Sequence, residues 1–97
     1  KPESITLIGD IGSITICAYA RKIYIILDAD TQLEIEQDGF SLDPLEQGVD
    51  ITQKEKKTIL LPHGADVYNL IRSDKTKLQT IKITGKTGLT IYSFVCN

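Results

Sequence analysis

Five acids fall close together in Asp28, Asp30, Glu34, Glu36 and Asp38, a density that raises the question of a calcium site. A calcium-binding EF-hand loop counted from Asp28 would need glycine at its sixth position and a bidentate glutamate at its twelfth. The chain has Leu33 and Gly39 there, so that loop is excluded and only a looser site on Asp28 and Asp30 stays open. Gly85-Lys86-Thr87 has the ending of a phosphate-binding loop, but the glycine required five residues earlier is replaced by Thr80. His63 is the single histidine and follows Pro62. With no activated nucleophile or carboxylate partner recognisable near it, it reads as a loop residue rather than a general base. The chain is read as non-enzymatic, with no cofactor, no catalytic residues and no metal site.

Cys17 and Cys96 are the only cysteines. A bridge between them would close a loop long enough to stabilise by about 4 to 5 kcal/mol on the chain-entropy model. Two free thiols packed as small apolar residues are the other reading, and the choice rests on geometry. Their spacing excludes a Cys-x-x-Cys metal or redox motif.

The elements that must position these residues follow from alternation. Ser13-Ile14-Thr15-Ile16, Thr31-Gln32-Leu33-Glu34-Ile35-Glu36 and Thr80-Ile81-Lys82-Ile83-Thr84 place every second side chain on one face, as half-buried antiparallel strands do. Strands are expected at Ile5 to Ile8, Ser13 to Ala20, Ile23 to Leu27, Gln32 to Glu36, Thr58 to Leu61, Thr80 to Thr84 and Leu89 to Cys96. Ala65 to Arg72 fits either a helical stripe or a strand and is read as a strand. Turns are expected at Gly9 to Gly12, at Arg21-Lys22, at Asp38-Gly39, at Gln53 to Lys57 and, as a hairpin, at Gly85 to Gly88. Asp43-Pro44 can cap a short helical turn. The expected core is Ile14, Ile16, Ile25, Leu27, Leu33, Ile35, Leu60, Ile81, Ile83, Ile91 and Phe94.

At 97 residues, with 41% apolar and 25% charged residues, the chain is one folded all-β domain, an antiparallel sandwich of about seven to eight strands with Greek-key connections. Its longest apolar run, Ile23 to Leu27, is the length of a buried strand and far short of the roughly 20 residues of a membrane-spanning helix. The start at Lys1-Pro2 and the absence of methionine imply that an N-terminal segment was removed.

Charge divides along the chain. Between Ile23 and Gln53 there is no lysine or arginine and eight of the 13 acids, whereas Lys54 to Lys86 carries eight cations against three acids. Glu34 and Glu36 on one strand can face Lys82 on another within the molecule, or the halves can meet between molecules. The intramolecular arrangement, and with it a monomer, is the reading adopted. A net charge of −2 and a pI near 5.3 do not supply the concentrated basic face that nucleic acid requires.

Tyr24-Ile25-Ile26-Leu27-Asp28-Ala29-Asp30-Thr31 resembles the strand-and-turn signature of PKD-like immunoglobulin-type domains, without the aromatic residue and glycines that normally surround the paired aspartates. Ile81-Lys82-Ile83-Thr84-Gly85 followed by Leu89 to Asn97 is similar to the junction where such a sandwich meets a repeat strand in secreted bacterial leucine-rich-repeat proteins. Ile91, Phe94 and Cys96 fall where that repeat places two leucines and a cysteine. The resemblance implies an immunoglobulin-like sandwich, exported and surface-associated. Function is accordingly expected to be that of a secreted or cell-surface module for protein or glycan interaction, or else of a structural subunit that pairs through edge strands.

Overall fold

In the computed structural model, which describes residues 5–6, 11–86 and 89–97, alternation produces the all-β antiparallel fold expected. Eight strands form: β1 (Ile5–Thr6), β2 (Ile11–Ala29), β3 (Leu33–Gln37), β4 (Phe40–Ser41), β5 (Ile51–Lys54), β6 (Lys57–Leu60), β7 (Gly64–Lys86) and β8 (Thr90–Cys96). All pairings are antiparallel; β1 with β8, β2 with β7 and β3 with β6 are nested as in one long hairpin, and rolling that hairpin up adds the pairs β2–β8 and β3–β7. Hydrogen bonding runs continuously in the order β1-β8-β2-β7-β3-β6-β5.

Two strands are too long to be flat. Extended, the 19 residues of β2 would reach roughly 60 Å, yet the longest dimension of the molecule is 36 Å. The fold-over occurs at Arg21, where a bulge shifts the register from Ala20↔Lys77 to Lys22↔Arg72. Inward-facing positions of β2 are even before the bulge, through Ile14, Ile16, Ala18 and Ala20, and odd after it, through Ile23, Ile25, Leu27 and Ala29. The turn expected at Arg21-Lys22 is therefore a bend within one strand. One layer holds β1, β8, the second half of β2 and the first half of β7; the other holds the first half of β2, the second half of β7, β3, β6 and β5.

The core between the layers contains Ile25, Leu27, Leu33, Ile35, Leu60, Ile81, Ile83 and Ile91 as expected, with Ile14, Ile16 and Phe94 packed half-buried against it. Ile23, Leu42, Tyr68, Leu70, Ile71 and Leu89 complete it. Thr58 is fully buried yet satisfied, its Oγ1 donating to the Ile35 carbonyl (2.6 Å) and accepting the Leu42 N–H (3.1 Å).

Local expectations fare unequally. Ala65 to Arg72 is strand, and Asp38-Gly39 is a tight turn with φ of 52° and 90°, which glycine adopts without strain. Asp43 caps a 3-10 turn at Pro44–Glu46 by accepting the Leu45 N–H. Between Gln53 and Lys57 only Glu55-Lys56 turn, joining β5 to β6. The hairpin expected across Gly85 to Gly88 is corrected: β7 and β8 are not neighbours, because β2 lies between them. Residues 87 and 88 lie outside the described residues, as do Leu7 to Asp10 and so the first half of the first expected turn; its last residues, Ile11 and Gly12, open β2.

Candidate functional site

The bend that folds the sheet also opens a cleft. Ser73 to Thr76 are four residues on β7 where β2 has one, so β7 bows outward, and the 3-10 turn packs against the bow. Asp43, Leu45 and Glu46 form one wall and Ser73, Asp74, Lys75 and Lys77 the other, around a half-open volume of about 220 Å³.

A chain of polar groups runs from this cleft into the core. Lys77 Nζ donates to both Glu46 oxygens, at 2.8 and 2.6 Å, and Gln37 Nε2 donates to Glu46 Oε1 at 2.8 Å. Gln37 Nε2 also donates to Gln79 Oε1 (2.8 Å), and Gln79 Nε2 to the Ala20 carbonyl (2.9 Å) beside the β2 bulge. Gln79 is 1% exposed. Among the described residues no buried side-chain nitrogen or oxygen lacks a partner, so the network fixes the cleft floor. The hydrogen bond from Lys77 holds the Glu46 carboxyl below its ordinary value of 4.5, against the opposing effect of burial, and Gln37 and Ser73 add to the lowering. Glu46 is thus an ionised acceptor whose lone pairs are engaged, the opposite of a poised general acid.

One large apolar side chain, Leu45, lines the cleft. Leu45 is 89% exposed on its wall, and Phe40, 76% exposed, lies across from Gln37 in the β3–β4 pair. Leu78 and Tyr19, paired across β2–β7 and both exposed, point to the opposite face of the sheet from Lys77 and Gln79. A charged floor beside the exposed Leu45 suits a ligand with both polar and apolar surface.

The residues singled out in the sequence lie elsewhere. Glu36 sits directly opposite Lys82 in the β3–β7 register, and Glu34, between Thr84 on β7 and Ile59 on β6, has Lys57 Nζ at 4.0 Å. Acidic β3 is thus flanked by lysines of β6 and β7 on one outer face. Cys17 and Cys96 are both exposed and free, so the bridge that was left open does not form. Cys17 pairs with Thr80, while Cys96 pairs with Ile23, six positions farther along β2 and beyond the bulge. Burial pushes the Cys96 thiol up. His63 lies in the loop before β7, its ring edge against Tyr68 at 5.4 Å, and Tyr68 Oη accepts the His63 N–H. Among the described residues no three His, Cys, Asp or Glu side chains converge, Asp28 and Asp30 included.

Sequence reasoning missed Gln37, Glu46, Ser73, Lys77 and Gln79. A signal existed: Gln37 continues the inward series Leu33, Ile35, and Gln79 begins the inward series Ile81, Ile83. A glutamine on the apolar phase of two strands that pair in the fold marks a buried polar contact.

The chain matches a family model described as "Thioredoxin like C-terminal domain" over residues 1–95. It belongs to that family. Within this thioredoxin-like C-terminal domain the two cysteines do not form the Cys-x-x-Cys pair of thioredoxin redox chemistry, being separated in sequence and in the sheet. The match takes in almost the whole domain, whereas the resemblances drawn above concern Tyr24 to Thr31 and the last seventeen residues. No curated protein matches it. No helix among its described residues is long and apolar enough to cross a membrane.

Proposed function

We propose that this domain is a non-enzymatic binding module, secreted or displayed at a cell surface, that takes a glycan in the cleft between the 3-10 turn and the bow of β7. The observation that carries this reading is the pairing of a fixed polar floor with an exposed leucine, Leu45, on the cleft wall. Sugar rings offer C–H faces that pack on aromatic and aliphatic side chains and hydroxyls that both donate and accept. Leu45 on the wall and Phe40 beside Gln37 supply the first kind of contact, and Asp74, Lys75 and the remaining Lys77 N–H the second. A preformed cleft also spares the ligand the cost of ordering its site.

Assembly through edge strands is less well supported. β5, at one end of the sheet, is four residues long with Thr52, Gln53 and Lys54 exposed, the short and charged edge that discourages strand addition.

The test is an NMR-monitored titration with oligosaccharides of glucose, xylose and N-acetylglucosamine. Saturable amide shifts confined to Leu45, Asp74, Lys75 and their neighbours, lost in Phe40→Ala and Leu45→Ala, are expected for at least one sugar. No saturable shift in the cleft with any of them would overturn the glycan reading.

A further inference from the structure

Ile23-Tyr24-Ile25-Ile26-Leu27 carries apolar side chains on both sides of one strand, the pattern of a strand covered on both faces. Among the described residues only one face is covered by the core. Ile23, Ile25 and Leu27 are fully buried in the core, whereas Tyr24 and Ile26 point outward and are half-buried. Val95 on β8 stands opposite Tyr24, and Val67 on β7 opposite Ile26, at 40% and 51% exposure. These four make one apolar strip across three adjacent strands.

The two ends of the strip carry opposite charge. Lys22, Tyr24, Ile26 and Asp28 follow one another along the outer face of β2, and Arg72 pairs with Lys22 at the basic end. Among the described residues none of Lys22, Arg72 and Asp28 takes part in an ion pair.

We propose that this face is the interface of a two-fold symmetric dimer of the chain with itself. The pattern of cation, apolar centre and anion is complementary to its own reverse. A two-fold axis lying in the interface, perpendicular to β2 and midway between Tyr24 and Ile26, reverses the strand direction. It sets Lys22 and Arg72 of one copy over Asp28 of the other and lays the apolar centres on each other. An axis parallel to β2 would instead stack like charges, so the charge order selects one orientation. The dimer covers the second face of the apolar strand with residues none of which lines the cleft of the proposed glycan site, so the two readings are tested separately.

Sedimentation equilibrium from micromolar to millimolar protein tests the proposal, with circular dichroism melts to confirm that each variant is folded. The wild type is expected to self-associate to a dimer and no further, and Val67→Glu to be monomeric. Asp28→Lys alone should weaken the dimer about tenfold, and Lys22→Glu with Arg72→Glu and Asp28→Lys should recover most of that loss, because reversed charges are again complementary. A wild type monomeric throughout, or a dimer unaffected by Val67→Glu and Asp28→Lys, would overturn it.

Discussion

Replacing Glu46 by Gln removes one charge at the cleft while keeping the side-chain size. In the native protein the carboxylate accepts two bonds from Lys77, at 2.8 and 2.6 Å, and one from Gln37 at 2.8 Å. Hydrogen bonds to charged groups contribute about 1.5 to 3 kcal/mol, whereas exposed ion pairs contribute about 0.2 to 1. The pair lies between these limits, with side chains 20% exposed for Glu46 and 41% for Lys77. A destabilisation of about 1 to 2 kcal/mol is expected, or a fall in Tm of roughly 5 to 10 °C for a domain of this size. The pH dependence is the sharper part. A carboxyl held below its ordinary value contributes stability that is fully present above that value, 4.5, and lost as pH falls through the lowered one. Urea denaturation of both proteins at several pH values should therefore show a constant gap above pH 4.5 that closes in more acid solution. A gap that is absent at neutral pH, or that persists unchanged in strong acid, would refute the account of Glu46 as the anchor of the cleft.

A Cβ at Gly48 would run into the backbone carbonyl of Asn69, so Gly48→Ala should cost about 1 to 3 kcal/mol, read as a lower denaturation midpoint. Ile83 is 1% exposed between Ile14 and Ile35, and Ile83→Ala should cost about 2 to 5 kcal/mol in the same assay. Lys82→Glu sets two carboxylates opposite each other at Glu36 and should lower stability by roughly 0.2 to 1 kcal/mol, an effect that salt reduces. Both thiols should react with an alkylating reagent in the folded protein, Cys96 more slowly than a fully solvated thiol because burial disfavours its thiolate; mass spectrometry over time reports it.

Alternation determined the strands, their inward faces and most of the core, because side-chain direction in a strand is set by the chain's own period of two. Turn chemistry was equally local: Asp38-Gly39 and the Asp43 cap with Pro44 appear where residue type alone puts them. The partners of the strands were decided by tertiary structure. That β8 lies beside β2 and not β7, that Arg21 is a bulge and not a turn, and that Cys17 and Cys96 end on different partners all follow from how the long hairpin rolls up on itself. Nested pairs join residues far apart in the chain, so their register is fixed by the joint burial of many side chains and leaves no mark on any short segment. The cleft has the same origin. Gln37, Glu46, Lys77 and Gln79 are unremarkable apart, and they meet only because β7 bows where the sheet folds over.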